Sequence, residues 1–105
     1  MLEKPLIVRV LYFDGCPHHA TAARLVRDAA RDLGLAVELE LVRVRSRDDL
    51  EALRFLGSPT VQVDGVDVEP SARSRSDFAF ACRVYGSSGT PTRESIVAAL
   101  RGERS

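Results

Sequence analysis

The sequence predicts an α/β domain of order β-α-β-α-β-β-α, with a four-stranded mixed sheet flanked by helices. Three observations lead to it. An apolar run over residues 6–13, an amphipathic stretch over 17–33 and an alternating run over 37–41 form a strand-helix-strand unit, whose crossover requires parallel strands. Asp64-Gly65 lies between two alternating valine runs, the pattern of a two-residue hairpin, which requires antiparallel strands. Thr90-Pro91 can then cap a last helix ending at Leu100.

The first strand, Leu6-Ile7-Val8-Arg9-Val10-Leu11-Tyr12-Phe13, is rich in β-formers and nearly continuous in apolarity, so it is expected to be covered on both faces. Arg9 is out of keeping with that. Asp14-Gly15 breaks the strand, and Pro17 suits the first position of a helix, where its missing N–H costs nothing. Ala22, Val26, Ala29, Ala30 and Leu33 line the inner face of this helix and Gly34 stops it. Val37, Leu39 and Leu41 alternate with Glu38 and Glu40 in a second strand. Ser46 caps a short helix with Asp48 and Asp49 in its first turn. Leu50, Leu53 and Leu56 form its apolar stripe and Gly57 ends it. The hairpin pairs Val63 with Val66 and Val61 with Val68, which places all four valines on one face and Gln62 with Asp67 on the other. Residues 69–91 are less regular. Serine and arginine dominate 71–76, and Phe78, Phe80, Cys82 and Val84 alternate as in a strand, although a helical turn also fits.

The 105 residues read as one domain, 1–105, large enough for a modest core. Fifteen basic residues balance fifteen acidic ones, so no global field would draw in nucleic acid or a membrane surface. The run at 6–13 is too short to span a membrane, and no cleavage signal follows it. Two cysteines, Cys16 and Cys82, do not make a secreted disulfide framework. The expected location is a reducing cytoplasm, where an exposed cysteine is more often reactive or metal-binding than structural.

The chemistry-bearing segment is Phe13-Asp14-Gly15-Cys16-Pro17-His18-His19. A thiol at a helix N-terminus faces free N–H groups and the positive end of the dipole, which raises its thiolate fraction at neutral pH. The thiolate is the nucleophile of thiol–disulfide exchange. His19 stands one turn along and can reach Cys16, as hydrogen-bond partner or base, or can be a surface residue. His18 is expected to point into solvent. Cys82 reads either as a small hydrophobe beside Phe78 and Phe80 or as a distant resolving thiol. Arg73, Arg75 and Arg83 are expected on a solvated loop, with the weaker alternative that one of them meets a ligand carboxylate.

A strand ending in Cys16-Pro17-His18-His19, with Ser58-Pro59-Thr60 directly before a hairpin, resembles the thioredoxin and glutaredoxin superfamily. The similarity covers residues 6–68 and the last helix. More narrowly, Tyr12 to Pro17, Arg54 to Thr60, Asp77-Phe78 and Cys82-Arg83-Val84-Tyr85 resemble a group of small bacterial thioredoxin-like proteins. Some of that group carry selenocysteine where Cys16 stands, and some are labelled alkylmercury lyases. The resemblance implies a thioredoxin-like fold, a family-specific segment at 69–91, and a cis Pro59 packed against the reactive cysteine. It also implies a thiol-based redox protein that uses Cys16 for thiol–disulfide exchange or for reduction of an oxidised substrate, whose partner is a small-molecule or protein thiol or disulfide, with glutathione admitted as co-substrate.

The sequence departs from the dithiol pattern, because His19 occupies the place of the second cysteine. A local Cys-x-x-Cys disulfide is therefore impossible. Cys16 can act alone with an external thiol, Cys82 can resolve it, or Cys16 and His19 can be ligands of a soft metal. Those two, even with Cys82 as a third, fall short of the four ligands of a closed zinc site, so no metal is expected as a resident cofactor. The candidate site is Cys16, His19, Pro59 and Cys82. The alternative function is a non-catalytic soft-metal or protein-binding module on the same fold.

Overall fold

The computed structural model describes residues 5–85 and 88–102. The elements run β1 (Leu6–Tyr12), α1 (His19–Leu33), β2 (Val37–Arg43), α2 (Arg47–Ala52), β3 (Thr60–Val63), β4 (Val66–Asp67), a 3-10 turn (Pro70–Ala72) and α3 (Arg93–Leu100). Among the described residues the four strands form one mixed sheet in the order β2-β1-β3-β4. β1 pairs parallel with β2, and antiparallel pairing joins β1 to β3 and β3 to β4. The chain is therefore an α/β protein of the expected element order.

The inner face carries the main core. Val8 and Val10 of β1, Val61 and Val63 of β3, and Val68 meet Ala22, Val26, Ala29 and Ala30 of α1 and Ile96 and Leu100 of α3. The small residues of α1 let that helix lie close against the valines. Gly34 ends α1 in the left-handed conformation, φ 68°, which satisfies its last carbonyls without steric cost. The hairpin register is the expected one, Gln62 opposite Asp67 and Val63 opposite Val66, with Val68 N–H bonded to the Val61 carbonyl.

The opposite face is only partly covered, which corrects the expectation that β1 is buried on both sides. Leu11 is fully buried with Val44 and Phe55, while Ile7 is exposed and Arg9 half-buried. The charge of Arg9 goes to Glu40, its cross-strand partner on β2, at 2.9 Å. Leu41 of the edge strand is 47% exposed, so the alternation of β2 marks a half-covered edge.

Three helix boundaries differ from the sequence reading, one of them the start of α1, which is at His19 and not at Pro17. Ser46 caps α2 through the Asp49 N–H as expected, but α2 stops at Ala52. Arg54 takes a left-handed φ of 55° and closes the helix with Phe55 N–H on the Leu50 carbonyl. That turn drives Phe55, absent from the expected leucine stripe, into the second core with Leu50 and Leu53 packed around it. Arg54 is held there by the carbonyls of Arg73 and Arg75 at 3.1 and 3.0 Å and by the Phe78 ring. The last helix is capped by Thr92, whose hydroxyl accepts from Ser95 N–H, and not by Thr90. Pro91 is fully buried ahead of it. No helix among the described residues is long and apolar enough to cross a membrane.

Candidate functional site

The register Leu11 opposite Thr60 brings the C-terminal end of β1 beside the N-terminal end of β3. The segment holding Cys16 leaves the sheet at the same end where Ser58-Pro59 enters it. The Ser58–Pro59 peptide bond is cis and both residues are fully buried.

Cys16 lies in a turn, not in the first turn of α1. Asp14-Gly15 reverses the chain, with Gly15 at φ 95°, and the Cys16 N–H returns to the Phe13 carbonyl at 3.3 Å. Pro17 and His18 form a second turn, and α1 begins at His19 with His18 as its cap residue. The thiol thus stands ahead of the helix. It is a free cysteine, and the residue is only 4% exposed.

His19 meets Cys16 through the backbone. Its Nδ1–H donates to the Cys16 carbonyl at 2.9 Å, and its ring stacks on Tyr12 with centroids 4.1 Å apart and planes 10° apart. A carbonyl only accepts, so Nδ1 carries the hydrogen and Nε2 of the neutral ring keeps its lone pair. His18 is exposed, yet it is not free of the protein. A Cβ placed on Gly89 would sit 2.5 Å from the His18 ring, so that glycine packs directly on the imidazole.

Cys82 is free and exposed. The alternation around it is neither strand nor helix. It is a single parallel bridge to Ser58, in which Ser58 N–H donates to the Ala81 carbonyl at 2.8 Å and Arg83 N–H donates to the Ser58 carbonyl at 2.9 Å. This puts residues 79–85, here called the strap, alongside the cis-proline loop. Gly57 makes the approach possible. Its φ is 121°, and an added Cβ would lie 3.0 Å from the Ala81 carbonyl oxygen and 3.1 Å from Arg83 Cβ.

The strap is fixed by residues that sequence reading placed in solvent or passed over. Arg83 is buried, and its guanidinium makes a two-pronged ion pair with buried Asp67 at 2.6 and 3.0 Å. It also lies over the Tyr85 ring, 4.5 Å from the centroid. Tyr85 is buried and donates its hydroxyl to the Pro59 carbonyl at 2.5 Å. Burial pushes the Tyr85 hydroxyl well above the ordinary tyrosine range. Gln62, on the same face as Asp67, donates to the Leu53 carbonyl at 2.9 Å. The sequence signals for this network were the polar pair Gln62 and Asp67 opposite one another on a short hairpin, and the run Cys82-Arg83-Val84-Tyr85 that carries part of the family resemblance.

The other loop arginines are also committed. Arg73 Nε donates to the Asp67 carbonyl at 2.8 Å, and Arg75 pairs with Asp77 at 2.6 Å. The hydrogen bond from Arg75 holds the Asp77 carboxyl below its usual range. Phe80, on the strap, meets Phe13 and Phe55 at centroid distances of 6.3 and 6.5 Å. Phe13, Phe80, Val44, Asp14, Arg43 and Arg45 line a recess of about 350 Å³, in which Arg43 is paired with Asp14 at 3.1 Å.

One buried polar atom near the site, the Ser58 hydroxyl, has no hydrogen-bond partner among the described residues. No cluster of three or more His, Cys, Asp or Glu side chains suited to a metal occurs among the described residues. Comparison of the chain with protein-family models, with characterised proteins and with solved structures finds no match.

Proposed function

We propose that the chain is a thioredoxin-like thiol protein in which Cys16 is the nucleophile of thiol–disulfide exchange and an external thiol completes the cycle. The observation that carries this reading is the placement of the Cys16 turn and the cis Ser58–Pro59 bond at one end of a β2-β1-β3-β4 sheet. The mixed sheet, with α1 and α3 on one face, supports the thioredoxin-like reading of the fold. In this reading His19 is a positioning residue. It holds the Cys16 carbonyl and so the turn.

The exchange step balances without a cofactor. The Cys16 thiolate attacks one sulfur of a disulfide, a new sulfur–sulfur bond forms, and the other sulfur leaves as a thiolate that is protonated by solvent. A second thiol then attacks the mixed disulfide and frees Cys16. A reducing compartment and glutathione as co-substrate are consistent with this chemistry. The test is peptide mapping by mass spectrometry after exposure to oxidised glutathione. The expected adduct is on Cys16 and is removed by thiol. An adduct confined to exposed Cys82 would overturn the reading.

A further inference from the structure

The proposed exchange chemistry leaves open which disulfides reach Cys16, and the strap bears on that choice. We infer that the strap makes Cys16 selective for low-molecular-weight disulfides over disulfides carried in a polypeptide. This inference rests on the exchange reading above.

A polypeptide that presents a disulfide to a sheet edge is commonly held by main-chain hydrogen bonds to that edge. Within β3 the pairing groups are used on both sides, by β1 and β4. The position where an incoming chain could continue the pattern beside the Cys16 turn is Ser58. Both main-chain groups of Ser58 are taken by this chain's own Ala81 and Arg83.

The strap is not loosely laid there. To peel it away would separate Arg83 from Asp67, which are both buried, and would break the Tyr85 bond to Pro59. Uncovering half of a buried ion pair is among the costliest local changes a small domain can make. The strap and the chain just after it also touch both flanks of the Cys16 turn, Phe80 against Phe13 and Gly89 against His18. With Cys16 itself 4% exposed, the thiol is open only to a reagent that enters without a main chain. Such a disulfide is attacked as described above. Its sulfur–sulfur bond breaks, the Cys16 mixed disulfide forms, and a small thiolate leaves.

The experiment uses the full chain carrying Cys82→Ser and two 2-pyridyl disulfides with the same leaving group. One is the mixed disulfide of mercaptoethanol, and the other is attached to a cysteine within a short unstructured peptide. A free cysteine peptide gives the reference ratio of the two rates. The expected result is a ratio shifted toward the small probe by roughly tenfold or more relative to that reference. Tyr85→Phe, with its fold verified by circular dichroism, is expected to raise the peptide-probe rate severalfold and to change the small-probe rate little. Phe80→Ala, at an exposed position, gives a second variant expected to act in the same direction. A ratio equal to the reference overturns the selectivity while leaving the exchange reading intact. A shifted ratio that neither variant alters overturns the assignment to the strap. Reaction of Cys16 with neither probe overturns the exchange reading and this inference with it.

Discussion

Tyr85 donates its hydroxyl to the carbonyl of Pro59, 26 positions earlier in the chain, at 2.5 Å. That bond ties the least regular part of the sequence to the loop beside Cys16. Tyr85→Phe removes only the hydroxyl and leaves a buried carbonyl short of its donor. The expected loss of stability is about 1–2 kcal/mol, read from urea denaturation.

The same residue sets an alkaline limit. Burial holds the Tyr85 hydroxyl in its neutral form to higher pH than in the unfolded chain. The folded state therefore keeps a proton that the unfolded state loses near the ordinary tyrosine value of about 10. This contribution is fully present below that value, and stability falls as pH rises above it. A spectrophotometric titration should show Tyr85 ionising late, together with unfolding, and Tyr85→Phe should flatten the decline. A decline of unchanged slope in that variant would count against this assignment.

Arg83 and Asp67 form a buried pair, so removing one side is worse than removing both. Arg83→Met leaves the Asp67 carboxylate buried without its cation and is expected to cost about 3–5 kcal/mol. Adding Asp67→Leu should recover much of that loss. Equal stability of the single and double variants, measured by denaturant unfolding, would show that the pair is not desolvated as described.

The regular elements were legible in the sequence because their signals are local. Asp64-Gly65 between valines, Ser46 before two aspartates, and Gly34 after an amphipathic stretch each act within a few residues. The strap was not legible, because what buries Arg83 is a carboxylate 16 positions away on β4 and a tyrosine ring. An arginine in an irregular stretch reads as solvated until its partner is known. Phe55 escaped for a related reason. The left-handed turn at Arg54 ends α2 early and rotates the next side chain inward, and a non-glycine residue gives no warning of such a turn. At the site, Cys16 and His19 were visible from their spacing after the first strand, and Pro59 only through the resemblance to the thioredoxin superfamily. The direction of His19 was not, since it depends on the Tyr12 ring and the Cys16 carbonyl.

Gly57→Ala tests the close approach of the strap. The left-handed backbone at that position and the contact with the Ala81 carbonyl both oppose a methyl group. We expect a loss of about 1–3 kcal/mol, with the strap displaced. An unchanged midpoint in thermal unfolding would contradict the described packing.

Ser58→Ala tests the unpartnered hydroxyl. Ser58 is fully buried and its Oγ has no partner among the described residues, so its desolvation is uncompensated. Removing it should stabilise the protein by about 1 kcal/mol. A clear loss of stability would mean that the hydroxyl has a partner.

The role of Cys16 is tested most directly by its rate of exchange with a small disulfide in the Cys82→Ser protein, compared with a free cysteine peptide at the same pH. We expect Cys16 to react with the small disulfide in the folded protein, and the mixed disulfide to be released by added glutathione. A Cys16 that reacts more slowly than the peptide, and only under conditions that unfold the chain, would contradict its role as the nucleophile.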